Sequence, residues 1–295
     1  MSRVAVITIV HGRHEHLALQ RRGLGRSLRS PDDYIVVAID DDLGDDFGDE
    51  EVCDEAPAGD TLVLAHPGHP LGLPLAAARN AGARAALDRG ADVLVFLDVD
   101  CIPDPALLGA YEAAAADEQL RDDILCGPVA YLPPPPGGGY DLRALDQLAA
   151  PHAARPAPEP GRVERGGDPD LFWSLSFALT ASTWLRIGGF FEEYAGYGGE
   201  DTDFSATAAS RGIELAWIGA ARAYHQYHPT ETPPVSHLDD IVRNATLFHS
   251  RWARWPMAGW LDGFESAGLV RRNPHHGGYE LVTSSPIREG SRAES

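Results

Sequence analysis

The chain opens on an apolar, β-branched run, Val4-Ala-Val-Ile-Thr-Ile-Val10, that stops at His11-Gly12. Such a run closed by a turn signal reads as a strand buried in a parallel sheet. Residues His14 to Leu28 then carry apolar positions at helical spacing. The alternation continues. Tyr34 to Ile39 is a second strand, stopped by Asp40-Asp41-Asp42, and Thr61 to Ala65 is a third, ended by His66-Pro67-Gly68. Leu75 to Leu87 is an Ala-rich helix closed by Gly90, and Asp92 to Leu97 is a fourth strand that runs into Asp98-Val99-Asp100. This order predicts an α/β, Rossmann-like fold: a mostly parallel sheet flanked by helices, in one large domain. Ligands of such sheets sit at the carboxyl ends of the strands, where this chain places His and Asp.

The second half is less regular. Pro133 to Gly139 is a Pro/Gly connector, and Arg155 to Pro169 a second loop rich in Pro, Gly and charge. A short helix is predicted near Leu142 to Ala149, a strand over Phe172 to Thr180, and a helix over Ser182 to Ile187 that Gly188-Gly189 stops. Ser205 to Arg211 reads as helix, Leu215 to Ile218 as strand and Asp239 to Arg254 as a late helix. Trp252, Trp255 and Trp260 read as packing residues. Residues 286–295 are predicted to be a disordered tail.

Composition narrows the function. The hydrophobic fraction of 44% suffices for a core, and the net charge of -20 speaks against a nucleic-acid partner. Much of the acid lies between Asp40 and Glu55, expected to be a solvated loop. Cys53, Cys101 and Cys126 form no CxxC pair, which predicts a reduced, cytoplasmic setting. No signal peptide and no transmembrane segment are expected, because no apolar run reaches about 18 residues.

Three constellations carry chemistry. Asp98-Val99-Asp100 puts two carboxylates on a turn at a strand end, suited to a divalent cation that also holds phosphate oxygens. This segment, Leu94-Val-Phe-Leu-Asp98-Val-Asp100 followed by Pro103, resembles the DxD segment of GT-A glycosyltransferases. Ala77-Ala-Arg79-Asn80-Ala-Gly82 resembles the helix start that family 2 glycosyltransferases carry before it. The resemblance implies that Arg79, Asn80, Asp98 and Val99 lie near a nucleotide-sugar donor.

The second constellation runs from Gly188-Gly189-Phe190 to Tyr197-Gly198-Gly199-Glu200-Asp201. Glycines let the backbone approach a substrate, and a helix start favours ionised acids. The stretch resembles the Gly-Trp-Gly-Gly-Glu-Asp motif of galactosyltransferases. That likeness implies Asp201 as catalytic base and Gly199 and Glu200 as acceptor contacts. Tyr197 stands where that family has Trp. The third is His225-Gln-Tyr-His228-Pro229. Residues three apart on a strand face opposite ways, so the histidines can share an ion only at an irregular strand end. The galactosyltransferase family places metal ligands at these positions. Asp100, His225 and His228 are therefore the expected ligands, and the oxygen and imidazole set favours Mn2+, with Mg2+ second.

Position in the fold adds Thr8, Val10 and Arg13 at the end of the first strand, and Asp40 or Asp41 at the end of the second, as base or ribose contacts. Asp40 is nearer the strand. Trp173 could stack on a sugar or serve as a core or edge residue. The resemblance implies a GT-A domain over residues 1–285, with a nucleotide-sugar half (1–130) and an acceptor half (131–285). It implies sugar transfer from a UDP-sugar, with a GDP-sugar second, to a carbohydrate, small-molecule or lipid-linked acceptor; Asp201 as base in a single displacement predicts inversion, with retention, which related GT-A enzymes show, as the alternative. Two alternatives stay open: a nucleotidyltransferase, which wants more glycine than His11-Gly-Arg-His14 supplies, and a non-catalytic nucleotide- or sugar-binding homologue.

Overall fold

The computed structural model describes residues 2–43, 57, 59–273 and 277–282. The expected acidic loop from residue 44 onward and the expected tail lie outside the described residues. β1 (Val4–Val10), α1 (His14–Gly25), β2 (Asp33–Ile39), β3 (Asp60–His66), α2 (Leu75–Asp88) and β4 (Val93–Leu97) follow in the expected order. After the Asp98–Asp100 turn come β5 (Cys101–Pro103), α3 (Leu107–Ala116), β6 (Ile124–Cys126), β7 (Val129–Tyr131), α4 (Leu145–Leu148), β8 (Ala150–Pro151) and β9 (Val163–Arg165). The chain continues with β10 (Ser176–Thr180), α5 (Ala181–Ile187), α6 (Glu200–Ser210), β11 (Leu215–Ile218) and β12 (Ala223–His225). It closes with α7 (Leu238–Trp252), α8 (Ala258–Ser266), β13 (Val270–Arg272) and β14 (Tyr279–Leu281).

The main sheet runs β3-β2-β1-β4-β10-β6-β11-β9. β1 pairs in parallel with β2 and β4, β2 with β3, and β6 with β11. The sheet is mostly parallel, as expected, with β10 running antiparallel to both neighbours and β9 antiparallel to β11. Side chains alternate across a strand, so each central strand feeds two cores. Ala5, Ile7 and Ile9 join Ile35, Val37, Phe96 and Phe177 on one face, under Ala78 and Ala83 of α2 and Phe204 of α6. Val4, Val6 and Val10 join Tyr34, Val36 and Val95 on the other, under Leu17 of α1 and Leu107 and Tyr111 of α3.

The expected β3 is an edge strand with alternating exposure rather than a buried one. The strand predicted from Phe172 begins only at Ser176, and the helix predicted from Ser205 begins at Glu200. A second sheet, β5-β12-β7-β8, was not anticipated. It lies beyond the carboxyl ends of the main strands and positions the site, because β12 places His225 opposite Cys101 of β5 and Tyr131 of β7.

Candidate active site

Residues from both halves of the chain meet around the Asp98–Asp100 turn. Gln20 of α1 fixes the turn from below: its Nε2 donates to the carbonyl of Asp98 at 2.6 Å, and its Oε1 accepts from Thr8 and Tyr34. The Asp98 N–H donates to the Leu175 carbonyl, and the Gln226 N–H to the Asp100 carbonyl at 2.7 Å. This last bond draws the chain past β12 across the turn and brings His228 to the same side as His225.

Asp100, His225 and His228 each offer a ligand atom, all within 4.8 Å of one another. Oδ1 of Asp100 is 3.5 Å from His225 Nε2, and Oδ2 is 3.6 Å from His228 Nε2. These separations exceed good hydrogen bonds and suit donors that share one ion at about 2 Å. One carboxylate and two imidazoles fit a divalent transition metal. Burial opposes ionisation of Asp100, yet nearby His228, His225 and Arg13 outweigh it and hold the carboxyl at about 2. Burial, partly offset by Asp100, lowers the pKa of His225 and keeps it neutral, as a ligand must be. Arg13 Nη1 donates to Asp100 Oδ2 at 2.6 Å, a positive charge where the carboxylate needs one.

On the other side of the turn, Arg79 is 4% exposed and bridges Asp98 and Glu200, with both contacts at 3.1 Å. Glu200 begins α6 after Gly199, whose φ of 96° is one that L side chains rarely adopt. Oε1 of Glu200 is taken by Arg79, while its buried Oε2 has no hydrogen-bond partner among the described residues. Asp201 follows. Burial, then the charge of Glu200, pushes its carboxyl up to about 7. Burial likewise pushes Asp98 up to about 6, against the pull of Arg79. An acid poised near neutrality beside an unfilled acceptor oxygen can take a proton from a bound hydroxyl. Tyr197, 40% exposed, stacks on His237 at 4.5 Å and on Trp260 at 5.8 Å, giving this side an aromatic face.

The structure therefore brings together Arg13, Arg79, Asp98, Asp100, Gly199, Glu200, Asp201, His225 and His228. It does not bring in every predicted side chain. Thr8 is 1% exposed, with its hydroxyl bonded to Gln20 and the Leu97 carbonyl, and Val10 and Val99 pack into a core. Asn80 is a clamp: its amide exchanges hydrogen bonds with the backbone of Phe190 and donates to Glu192. Arg79 is committed to two carboxylates instead of standing open to a ligand. Asp40 is exposed with φ 44°, while Asp41 accepts from the Gly12 N–H at 2.7 Å and from His14. Trp173 is partly buried against His152 and Arg155.

Sequence reading missed Tyr131, whose ring stacks on His225 at 4.8 Å, and His16, 6.5 Å from His228. The pairing of β7 with β12 is the cause of the first, and no local pattern signals it. Among the described residues no helix is long and apolar enough to cross a membrane.

With this geometry in view, comparison with known proteins is informative. A family model described as the N-terminal domain of galactosyltransferase matches residues 170–229, the stretch from Trp173 through both histidines. Over 242 residues the chain is 30% identical to a validoxylamine A glucosyltransferase of Streptomyces hygroscopicus subsp. limoneus, covering 72% of this chain and 50% of that protein. It is 27% identical over 220 residues to chondroitin synthase of Escherichia coli, covering 67% of this chain and 31% of that one. The chain thus spans about half the length of the validoxylamine A glucosyltransferases it matches.

Among solved structures, GalNAc-T7 crystallised with UDP, GalNAc and Mn2+ aligns with a TM-score of 0.53 at 15% identity, covering 78% of this chain and 44% of that one. S. aureus TarS 1-349 aligns with a TM-score of 0.50 at 13% identity, covering 83% and 64%. The chain has the GT-A fold, and the proteins it resembles over most of its sequence are glycosyltransferases.

Proposed function

We propose that the chain is a metal-dependent glycosyltransferase that moves a sugar from a nucleoside diphosphate donor to an acceptor hydroxyl, with inversion at the anomeric carbon. The observation that carries this reading is the convergence of a carboxylate and two imidazoles with a carboxyl poised near neutrality, across one turn at the carboxyl ends of the central strands. The presence of Mn2+ and UDP in the GalNAc-T7 structure favours Mn2+ over Mg2+ and a UDP-sugar over a GDP-sugar. The validoxylamine A glucosyltransferase relatives favour glucose as the sugar and an acceptor of the validoxylamine A kind.

Asp100, His225 and His228 would hold the ion, which when bound supplies positive charge to the departing diphosphate. Asp201 accepts the proton of the attacking hydroxyl. Glu200, held through Oε1 by Arg79 and next to Asp201 in the chain, shapes the acceptor side. Arg79 ties Asp98, on the donor side, to Glu200, on the acceptor side, so that the two bound molecules share one rigid frame. The first 130 residues then serve mainly the donor and residues 131–285 the acceptor, with the metal ligands drawn from both.

The test is UDP release from UDP-glucose, with validoxylamine A and simple glycosides as acceptors, and the product anomer read by NMR. Metal-dependent release with inverted product is expected. A retained anomer contradicts the role of Asp201, and pyrophosphate released from UTP instead would favour a nucleotidyltransferase.

A further inference from the structure

Two arginines at the cleft are neutralised by its acids: Arg13 by Asp100, and Arg79 by Asp98 and Glu200. Arg155 is different. It lies in the connection between β8 and β9, where His152, Ala153 and Ala154 are exposed but Arg155 itself is 7% exposed. Its guanidinium is held between the indoles of Trp173 and Trp217, 5.0 and 5.1 Å from the ring centroids. Nε, Nη1 and Nη2 all lack a hydrogen-bond partner among the described residues. Burying an unpaired cation is costly, and indole faces offset only part of that cost.

The ionisable groups that feel this charge do not neutralise it. They include the thiols of Cys101 and Cys126 and the phenols of Tyr111 and Tyr131, polar groups that are ordinarily uncharged at neutral pH. Two of these groups belong to the wall of the cleft. Cys101 follows Asp100, and the Tyr131 ring stacks on His225. From Tyr131 the rings continue through His152 to Trp173, at 5.9 and 4.8 Å, and so back to Arg155.

We propose that Arg155, unpaired among the described residues, is a positive charge set behind the metal-ligand wall, whose field draws the anionic nucleoside diphosphate into the cleft. The inference rests on the reading of this cleft as a donor site. The guanidinium nitrogens do not reach the surface, so Arg155 acts through the low-dielectric wall without touching the ligand. The acids of the site, Asp98, Glu200 and Asp201, repel a diphosphate, and Arg155 offsets them. The same field opposes a metal cation.

That opposition supplies the test. Arg155→Met keeps the apolar stem and removes the charge, and Arg155→Gln is a second neutral variant. UDP affinity is measured by calorimetry in saturating Mn2+ at low salt, Mn2+ affinity by electron paramagnetic resonance, and the melting temperature alongside. Both variants are expected to weaken UDP binding by roughly three- to tenfold, while Mn2+ binds unchanged or tighter and the melting temperature holds or rises. A clamp without an electrostatic role would lose stability and weaken both ligands together, and that result overturns the inference, as does unchanged or tighter UDP binding. Wild-type protein that binds neither UDP nor Mn2+ overturns the donor-site reading and this inference with it. Wild-type binding with no change in the variants overturns the inference alone.

Discussion

Asp201 concentrates the chemistry at the residue scale. Its pKa is raised from 3.8 to about 7 by burial and then by Glu200, so the transfer rate should rise with pH through about 7 as the base ionises. Asp201→Asn should lower transfer by about 10²–10⁴-fold while UDP binding persists, and calorimetry that finds UDP binding lost would make the residue structural. The stability consequence has the opposite sense to an ordinary salt-bridged acid. The folded state binds the proton more tightly than the unfolded chain, so between pH 3.8 and about 7 the Asp201 contribution falls as pH rises. Asp201→Asn should therefore raise the melting temperature more at pH 8 than at pH 4. An equal change at both would mean that the carboxyl is not perturbed. Asp100 and the two histidines were legible through the resemblance of their segments to glycosyltransferase motifs, with the histidine spacing requiring an irregular strand end. The commitments of Thr8, Asn80 and Arg79 were not, since burial and partners set them and neither is local in sequence.

Elements explain how those residues are held. α2 lies close on β1 because Gly82 has no side chain: a Cβ there would stand 2.5 Å from Ile7 Cγ2 and 3.2 Å from Val37 Cγ2. Gly82→Val should cost about 1–3 kcal/mol by overpacking, read as a lower urea midpoint. No change would show that the helix can ride outward. The first four strands and α1 and α2 were legible from their period and turn signals. α3 was not, because Leu-Leu-Gly-Ala-Tyr-Glu-Ala-Ala-Ala-Ala has weak amphipathic contrast and its N-cap, Ala106, makes no side-chain cap bond. The β5-β12-β7-β8 sheet escaped for another reason. Its strands span two or three residues each and gain their order from distant partners.

At the scale of the whole molecule, α7 is fastened to α6 and to the Gly-rich turn before it by polar hubs that the periodicity of α7 did not reveal. Asp203 of α6 is 1% exposed and accepts from Tyr194, Arg251 and Trp252. Asp203→Ala strands Arg251 and should cost about 3–5 kcal/mol, seen by chemical denaturation. A cost below about 1 kcal/mol would mean that α7 docks on its apolar face alone. This fastening matters to the site because α7 also holds the Gly-rich turn: Asn244 donates to the carbonyls of Ala195, Tyr197 and Gly198, just ahead of Glu200 and Asp201.

The central claim is that the Asp100–His225–His228 cluster and the Asp98 turn together form a metal-dependent nucleotide site. It is tested most directly by melting the protein with UDP or GDP, each in Mn2+, Mg2+ or EDTA, since a ligand that binds only the folded state raises its apparent stability. The account predicts a rise with UDP that needs Mn2+ and disappears in His228→Ala. A rise indifferent to EDTA, or none with any nucleoside diphosphate, would contradict it.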